Sequence, residues 1–230
     1  MQFESVCVVG AGRVGKTVAA RLAERIPTRV AGRELACGAV DLVLLCVPDR
    51  AIVEIAPQIP VGSWIAHTSG ACQLEALLPH ARRFSLHPLQ TFTLERGPEQ
   101  LDGAWAAVSG VDPGAKEAGF ELARLLGLEA FTLQDEHRPL YHAGATVAAS
   151  FLVTLHSAAA ELFTAAGAPA AALEPLMRRT IENGFAPTGP HVRGDWGTVE
   201  GHLEAIREHR PALEPLYRLL SETTAGAVAS

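Results

Sequence analysis

The segment Gly10-Ala11-Gly12-Arg13-Val14-Gly15-Lys16-Thr17 satisfies two nucleotide-binding patterns at once, G-x-G-x-x-G and G-x-x-x-x-G-K-T. Both place glycines between a strand and a helix. Backbone N–H groups approach a phosphate closely only where no Cβ intervenes, and the helix N-terminus adds partial positive charge. The flanks separate the two readings. Upstream, Ser5-Val6-Cys7-Val8-Val9 is apolar and rich in β-branched residues; downstream, Val14, Val18, Ala19 and Leu22 recur at helical spacing. A dinucleotide site needs a second glycine where the backbone meets the pyrophosphate, and Gly12 supplies it; a phosphate loop has no such requirement. A phosphate loop also calls for an apolar strand ending in an Mg²⁺-binding Asp, and the nearest candidate, Leu42 to Val47, meets Pro48 before Asp49. The segment is therefore read as strand, glycine turn and helix, with Gly10, Gly12, Arg13, Val14 and Gly15 against a dinucleotide. A phosphate-loop nucleotidase and a purely structural turn stand as alternatives.

Up to about residue 134, short apolar runs alternate with helical patterns, as in a mainly parallel sheet covered on both faces. Strands are expected at 5–9, 28–31, 42–47, 63–67, 83–86, 104–109 and 129–133, and helices at 13–25, 50–57, 72–80 and 114–126, the last capped by Gly127. After Asp135, Ala- and Leu-rich segments replace the β-branched runs. Helices are expected at 139–166, 170–183, 197–209 and 211–224, with Phe185 to Trp196 as a long Gly/Pro-rich loop. The predicted architecture is α/β, a mainly parallel dinucleotide-binding domain over 1–134 followed by a smaller all-helical domain over 135–230.

Composition narrows the class. A chain of 230 residues with 48% hydrophobic content supports a sizeable core, and a net charge of −6 without a basic run argues against a nucleic-acid partner. The four cysteines (Cys7, Cys37, Cys46, Cys72) lack C-x-x-C spacing and read as buried thiols in a reducing compartment, so a cytoplasmic location is expected. The N-terminus enters a strand directly, and no apolar run is read as long enough to span a bilayer, so no membrane partner is expected. None of the nine histidines shows H-x-x-H or H-E-x-x-H spacing, and no metal is expected.

Several further segments are distinctive: Val47-Pro48-Asp49, Ser69-Gly70, His87-Pro88-Leu89-Gln90-Thr91-Phe92, Tyr141-His142-Ala143, and Thr188-Gly189-Pro190 running on to Arg193-Gly194-Asp195 and His202-Leu203. With Gly10 to Gly15 they make the chain resemble, over nearly its whole length, bacterial Rossmann-like proteins whose helical half is classified as domain of unknown function 2520. That group is similar to ketopantoate reductases, pyrroline-5-carboxylate reductases and β-hydroxyacid dehydrogenases. The resemblance implies hydride transfer, a helical half that builds the substrate site, and a homodimer. The chain departs from the ketopantoate and β-hydroxyacid enzymes where they carry a Lys and, four residues later, an Asn on the first long helix; the counterparts here are Thr146 and Ser150.

Individual residues then take candidate roles. Strand two ends in Val30-Ala31-Gly32-Arg33 with no acid for a ribose 2′-OH, so Arg33, helped by Arg13, is read as a 2′-phosphate contact and NADP as the cofactor, against the alternative of a solvated surface arginine. Val47, Pro48, Asp49 and Ser69 lie at strand C-termini, where open α/β sheets bind ligands; ordinary turn chemistry is the alternative. His87 is read as opening the loop after its strand, its backbone held extended by Pro88. His142, Thr146 and Ser150, spaced by four, form one polar stripe on an apolar helix. His142 and Ser150 are read as catalytic with His87 in reserve as proton donor, and Thr146 as a substrate contact; the alternative is that the hydroxyls merely bond the carbonyl one turn back. Arg193, oriented by Asp195, is read as a clamp for a substrate carboxylate, or else as a loop-closing pair. The expected activity is NAD(P)H-dependent reduction of a small carboxylated carbonyl compound, ketopantoate-like by analogy. Reduction of a cyclic imine acid and a non-catalytic NADP-binding sensor are the further alternatives.

Overall fold

The computed structural model describes residues 2–229, with side chains through residue 226. The chain divides into two compact units between Val147 and Ala148. The first holds a seven-stranded sheet built from β1 (Val6–Val9), β2 (Thr28–Ala31), β3 (Leu42–Leu45), β4 (Trp64–His67), β5 (Arg83–Leu89), β6 (Trp105–Gly110) and β7 (Glu129–Thr132), in the order β2-β1-β3-β4-β5-β6-β7. All pairs are parallel except β5 with β6.

β1 and β3, reading VCVV and LVLL, are buried at every residue, as a central parallel strand must be when both sheet faces are covered. Alternate side chains feed two separate cores. Val6, Val8, Leu42, Leu44 and Phe84 pack with residues of α1 (Arg13–Ala23) and α3 (Pro113–Leu126) on one face; Cys7, Val9, Val43, Leu45 and Ile65 pack with Ile52 of α2 (Asp49–Ile55) and Leu77 on the other. Asp112 caps α3 by accepting a hydrogen bond from Ala115 N at 2.7 Å, and Gly127 ends it in the left-handed region, as its position after the last helical turn predicts.

Two local expectations are corrected. Residues 72–80 do not form a helix; a single 3₁₀ turn covers Leu74–Leu77, because Leu78 is extended ahead of Pro79. His87 does not open a loop. Pairing with β4 ends at His67↔Ser85, but the antiparallel partner β6 continues the ladder to Leu89↔Trp105, so His87 and Pro88 lie within β5.

Helix α4 (Arg138–Ala165) runs across the division between the units. The helical stretch Asp135–Ala165, 31 residues, is long and apolar enough to cross a membrane by length and composition, which corrects the reading that no run reaches that length. The second unit continues with α5 (Leu173–Glu182), α6 (Pro190–Arg193), α7 (Trp196–His209) and α8 (Glu214–Ala229), and contains no strand among the described residues. The expected loop from Phe185 to Trp196 thus holds one short helix, started by Pro190 at its first turn and stopped by Gly194 in the left-handed region.

Candidate active site

The sheet order reverses between β1 and β3, and the C-terminal ends of those strands flank the crevice in which such sheets hold ligands. The three motif glycines differ in what surrounds them. Gly10 takes φ +110°, and a Cβ there would run into the Cys46 carbonyl oxygen; at Gly15 it would run into the Gly10 carbonyl oxygen. These two let strand, turn and helix close on one another. At Gly12, a Cβ would meet nothing within 4 Å. Packing therefore does not require a glycine at position 12, whereas close approach of a ligand does. Gly12 is also the N-cap of α1, with no side-chain cap and no acid in the first turn, so the first backbone N–H groups of that helix lack intrahelical partners.

Around this turn the side chains are basic. Arg13, Lys16, Thr17 and Arg96 are among the residues lining a cavity of about 200 Å³ on the flank of α1. Lys16 is exposed, as the dinucleotide reading requires. At the end of β2, Arg33 is exposed, but the expectation that no acid stands there is corrected: Glu34 folds back so that its carboxylate accepts a hydrogen bond from Gly32 N at 3.0 Å. A bond from its own backbone N–H, and then the one from Gly32, hold the Glu34 carboxyl below its usual range. The signal was in the sequence, one residue beyond Arg33.

Further along the same sheet edge a second group of residues collects. Ser69, buried just past β4, accepts hydrogen bonds on its hydroxyl from Ala71 N at 3.1 Å and Cys72 N at 2.9 Å, fixing the Ser69-Gly70 turn. Its carbonyl accepts a hydrogen bond from Arg138, the first residue of α4, which is 0% exposed. The same guanidinium donates to the hydroxyls of Ser85 on β5 at 2.6 Å and Ser109 on β6 at 3.1 Å. One buried arginine thereby joins β4, β5, β6 and α4.

Above it lie three rings. His87 Nδ1 and the Tyr141 hydroxyl share a hydrogen bond of 2.8 Å with the rings edge to face, and the His142 ring stands edge-on to His87 with centroids 5.9 Å apart. A Cβ on Gly70 would lie 2.9 Å from His87 Nε2 and closer still to His142 Cδ2, so only glycine admits both rings. Burial, then the charge of Arg138 and the electrostatic influence of His142, pushes His87 down to about 4, partly offset by the Asp49 carboxylate. It is a neutral imidazole at pH 7. Burial raises the Tyr141 phenol to about 12, so its proton is retained. His67, at the end of β4, is pushed down to about 3 by burial and Arg138.

The structure thus brings Asp49, Ser69, His87 and His142 to one sheet edge, and adds Gly70, Arg138 and Tyr141, which had no assigned role. Gly70 and Tyr141 sit inside segments that stood out in the sequence; nothing in the sequence marked Arg138, whose partners come from three strands. Val47 is partly buried at the end of β3 and Pro48 is exposed. On α4, Thr146 donates its hydroxyl to the His142 carbonyl at 2.9 Å, the local bond that polar residues in helices commonly make, and Ser150 is exposed in the second unit. Arg193 ends α6 and is exposed. Asp195 caps α7, accepting from Thr198 N at 3.1 Å and Thr198 Oγ1 at 2.7 Å. No group of three or more candidate metal ligands occurs among the described residues.

Comparison with solved structures returns a Bacteroides fragilis protein provisionally named an NADP oxidoreductase, with a TM-score of 0.81 at 19% identity over 97% of this chain and 98% of that one. Protein TM1727 of Thermotoga maritima gives 0.78 at 23% identity over 98% and 100% of the two chains. A reductive aminase of Aspergillus terreus, solved with NADPH, gives 0.66 at 18% over 96% and 93%. At these identities the likeness establishes the fold, a Rossmann-type sheet followed by helices. No curated protein sequence matches. The family model described as a domain of unknown function (DUF2520) matches residues 104–224, more than half of the chain, and the chain belongs to that family.

Proposed function

We propose that the protein is an NADPH-dependent oxidoreductase that reduces a small carboxylated carbonyl compound of the 2-oxo acid type. The observation that carries this reading is the bare face of Gly12, a glycine that packing does not need, at the N-terminus of α1 beside the switch point of the sheet. A pyrophosphate there would accept from the free N–H groups that begin α1, with Gly10 and Gly15 holding the turn and Arg13 and Val14 flanking it. The names of the Bacteroides and Aspergillus proteins support a reduced nicotinamide cofactor. Arg33, exposed and without a side-chain hydrogen bond or ion pair among the described residues, fits a 2′-phosphate, since a guanidinium suits a doubly charged anion. Glu34 is the competing group: its carboxylate is engaged by Gly32 N, which tempers its repulsion of that phosphate. Val47, Pro48, Asp49 and Ser69 would border the ribose and nicotinamide.

The bound nicotinamide would supply the hydride. This chain's part is to orient the substrate and move a proton, and His87 and His142 stand at the sheet edge where the carbonyl would lie. Ser150 and Thr146 follow on α4 as hydroxyl contacts, and Arg193 with Asp195 as the clamp for the carboxylate. With no lysine at Thr146, reduction of a cyclic imine acid is the second reading, because a protonated imine needs no acid; the likeness to a reductive aminase supports it. Self-association is proposed as well. In the second unit Phe151 and Phe185 are 54% and 70% exposed, an uncommon state for large aromatics unless another surface covers them. All four cysteines are free, which supports a reducing, cytoplasmic setting.

The test is titration with NADPH, NADH and ATP, then NADPH oxidation across a panel of 2-oxo acids and cyclic imino acids. Submicromolar to micromolar NADPH binding, no ATP binding, and turnover of one substrate class are expected. ATP binding without NADPH binding would overturn the reading.

A further inference from the structure

We propose that Tyr141 is the proton donor of this site and that His87 is its proton relay. The inference rests on the reductase reading and names the acid that reading needs.

Of the groups at this sheet edge, Tyr141 joins three properties. It is partly exposed, it carries an ionisable proton, and it is hydrogen-bonded to a second proton carrier at 2.8 Å. His142 turns a carbon edge, Cδ2, toward Gly70. His87 is a poor acid by itself: its imidazolium is unpopulated at neutral pH, with burial and the guanidinium of Arg138 both opposing the charge. Burial, outweighing the opposite pull of Arg138, leaves Tyr141 protonated. A neutral imidazole beside an intact phenol is poised to pass a proton outward. Nδ1–H donates to the phenolic oxygen, and the phenolic O–H is then free to point at a ligand.

The step balances as follows. When the carbonyl carbon accepts hydride, its π pair moves onto oxygen, and that oxygen takes the phenolic proton of Tyr141. The phenolate takes the Nδ1 proton of His87 as His87 Nε2 takes one from a water molecule, whose hydroxide is neutralised by the bulk buffer. The imidazole ends neutral as the other tautomer, and proton exchange with solvent restores Nδ1–H before the next turnover. The carbonyl is reduced to the alcohol, and the reductant is the NADPH already invoked.

Arg138 is a positioning residue in this scheme. It fixes the carbonyl of Ser69 beneath Gly70, and Gly70 sets how close His87 and His142 come to the backbone. It also stands three residues before Tyr141 on α4, so the guanidinium that ties down three strands also anchors the start of the helix bearing the phenol.

Tyr141→Phe tests the assignment, with Tyr217→Phe as control, since Tyr217 has an equivalent hydrogen bond to His202 at 2.6 Å. These are the two tyrosines of the chain, so tyrosinate absorbance at high pH identifies each. Tyr141→Phe should keep NADPH affinity within about threefold, weaken oxamate, an unreactive 2-oxo acid mimic, about tenfold in the presence of NADPH, and lower kcat for a 2-oxo acid by roughly 10²- to 10⁴-fold, the usual span for a general acid. Tyr217→Phe should leave all three unchanged. If Tyr141→Phe turns over a 2-oxo acid within about threefold of the parent, the donor assignment falls while the reductase reading stands. If the parent binds NADPH yet reduces no member of the panel, the reductase reading falls and takes this assignment with it. His87→Asn should reduce kcat less than Tyr141→Phe, because the phenol keeps its proton; a larger loss would reverse the two roles.

Discussion

His67 offers a measurement of how the floor of this site is built. The ring is 0% exposed, and neither nitrogen has a hydrogen-bond partner of good geometry, although the Gln73 backbone lies near enough to ease the charged form slightly. Its value is pushed from 6.5 to about 3, first by burial and then by Arg138. A histidine whose folded value is depressed makes no difference well above 6.5. Below that the unfolded chain binds a proton that the folded one refuses, so stability is lost as pH falls from 6.5 toward 3. Between pH 7 and pH 5 these values give a loss of about 2 kcal/mol from this residue alone. In His67→Leu that component disappears. Urea unfolding of parent and variant at both pH values should show the parent losing about 2 kcal/mol more than the variant. At pH 7 the variant should be as stable as the parent or up to about 1 kcal/mol more so, since two unpaired buried polar atoms are removed. His87 and the carboxylates titrate in both proteins and cancel in the comparison. An equal pH slope in the two proteins would refute the burial argument and mean that water or an unrecognised partner reaches the ring.

The remaining expectations concern the cofactor end. Gly12→Ala should leave stability within about 0.5 kcal/mol, as its space is open and its φ of −74° suits any residue, yet weaken NADPH at least tenfold by calorimetry. Unchanged affinity would remove the chief support for the dinucleotide site. Gly15→Ala should do the reverse first, destabilising the fold by about 2 kcal/mol or more in thermal unfolding because the new methyl meets the Gly10 carbonyl. Arg33→Ala should cost about 1.5 to 3 kcal/mol in NADPH binding and little with NADH, and equal losses would exclude a 2′-phosphate contact. Glu34→Gln should shift preference further toward NADPH by titration with both cofactors; a shift toward NADH would mean that Glu34 serves only the turn. Lys16→Ala should change NADPH affinity by no more than a few-fold.

The central strands were legible because burial on both faces demands continuous apolar runs, and Val6–Val9 and Leu42–Leu45 carry no competing signal. The glycine turn was legible for the same local reason. What failed was non-local. The reach of β5 through His87 and Pro88 depends on an antiparallel partner some twenty residues later, and nothing within 83–89 announces it. The 72–80 pattern is helical in spacing, but Pro79 and the extended Leu78 stop it after one turn. At the site, His142 was legible as a polar residue on an apolar helix, and His87 as an extended residue ahead of Pro88, though expected in a loop rather than in β5. Tyr141 was not, because an aromatic beside a histidine reads as packing until its hydroxyl is seen to meet a ring from another element. Glu34 was not legible because a carboxylate three residues beyond a strand end reaches back only once the turn has formed.

The arginine under the site has an evolutionary consequence. Arg138, Ser85 and Ser109 come from three separate elements and hydrogen-bond to one another in a buried interior, with the Asp135 carboxylate 3.9 Å from the guanidinium Nε. Trading the arginine alone for an apolar residue takes the partner from the Ser85 hydroxyl and the Ser69 carbonyl and leaves Ser109 only its bond to the Leu133 carbonyl, and trading either serine alone removes an acceptor from a fully buried charge. Each single step is unfavourable, whereas exchanging the set for a matched apolar one need not be. In diverging relatives these positions should therefore be inherited as a block, and a homologue that has lost the arginine should have lost the serines as well. A lineage that has made that exchange has given up the anchor of the Ser69-Gly70 turn, and is the place to look for a different chemistry on the same sheet.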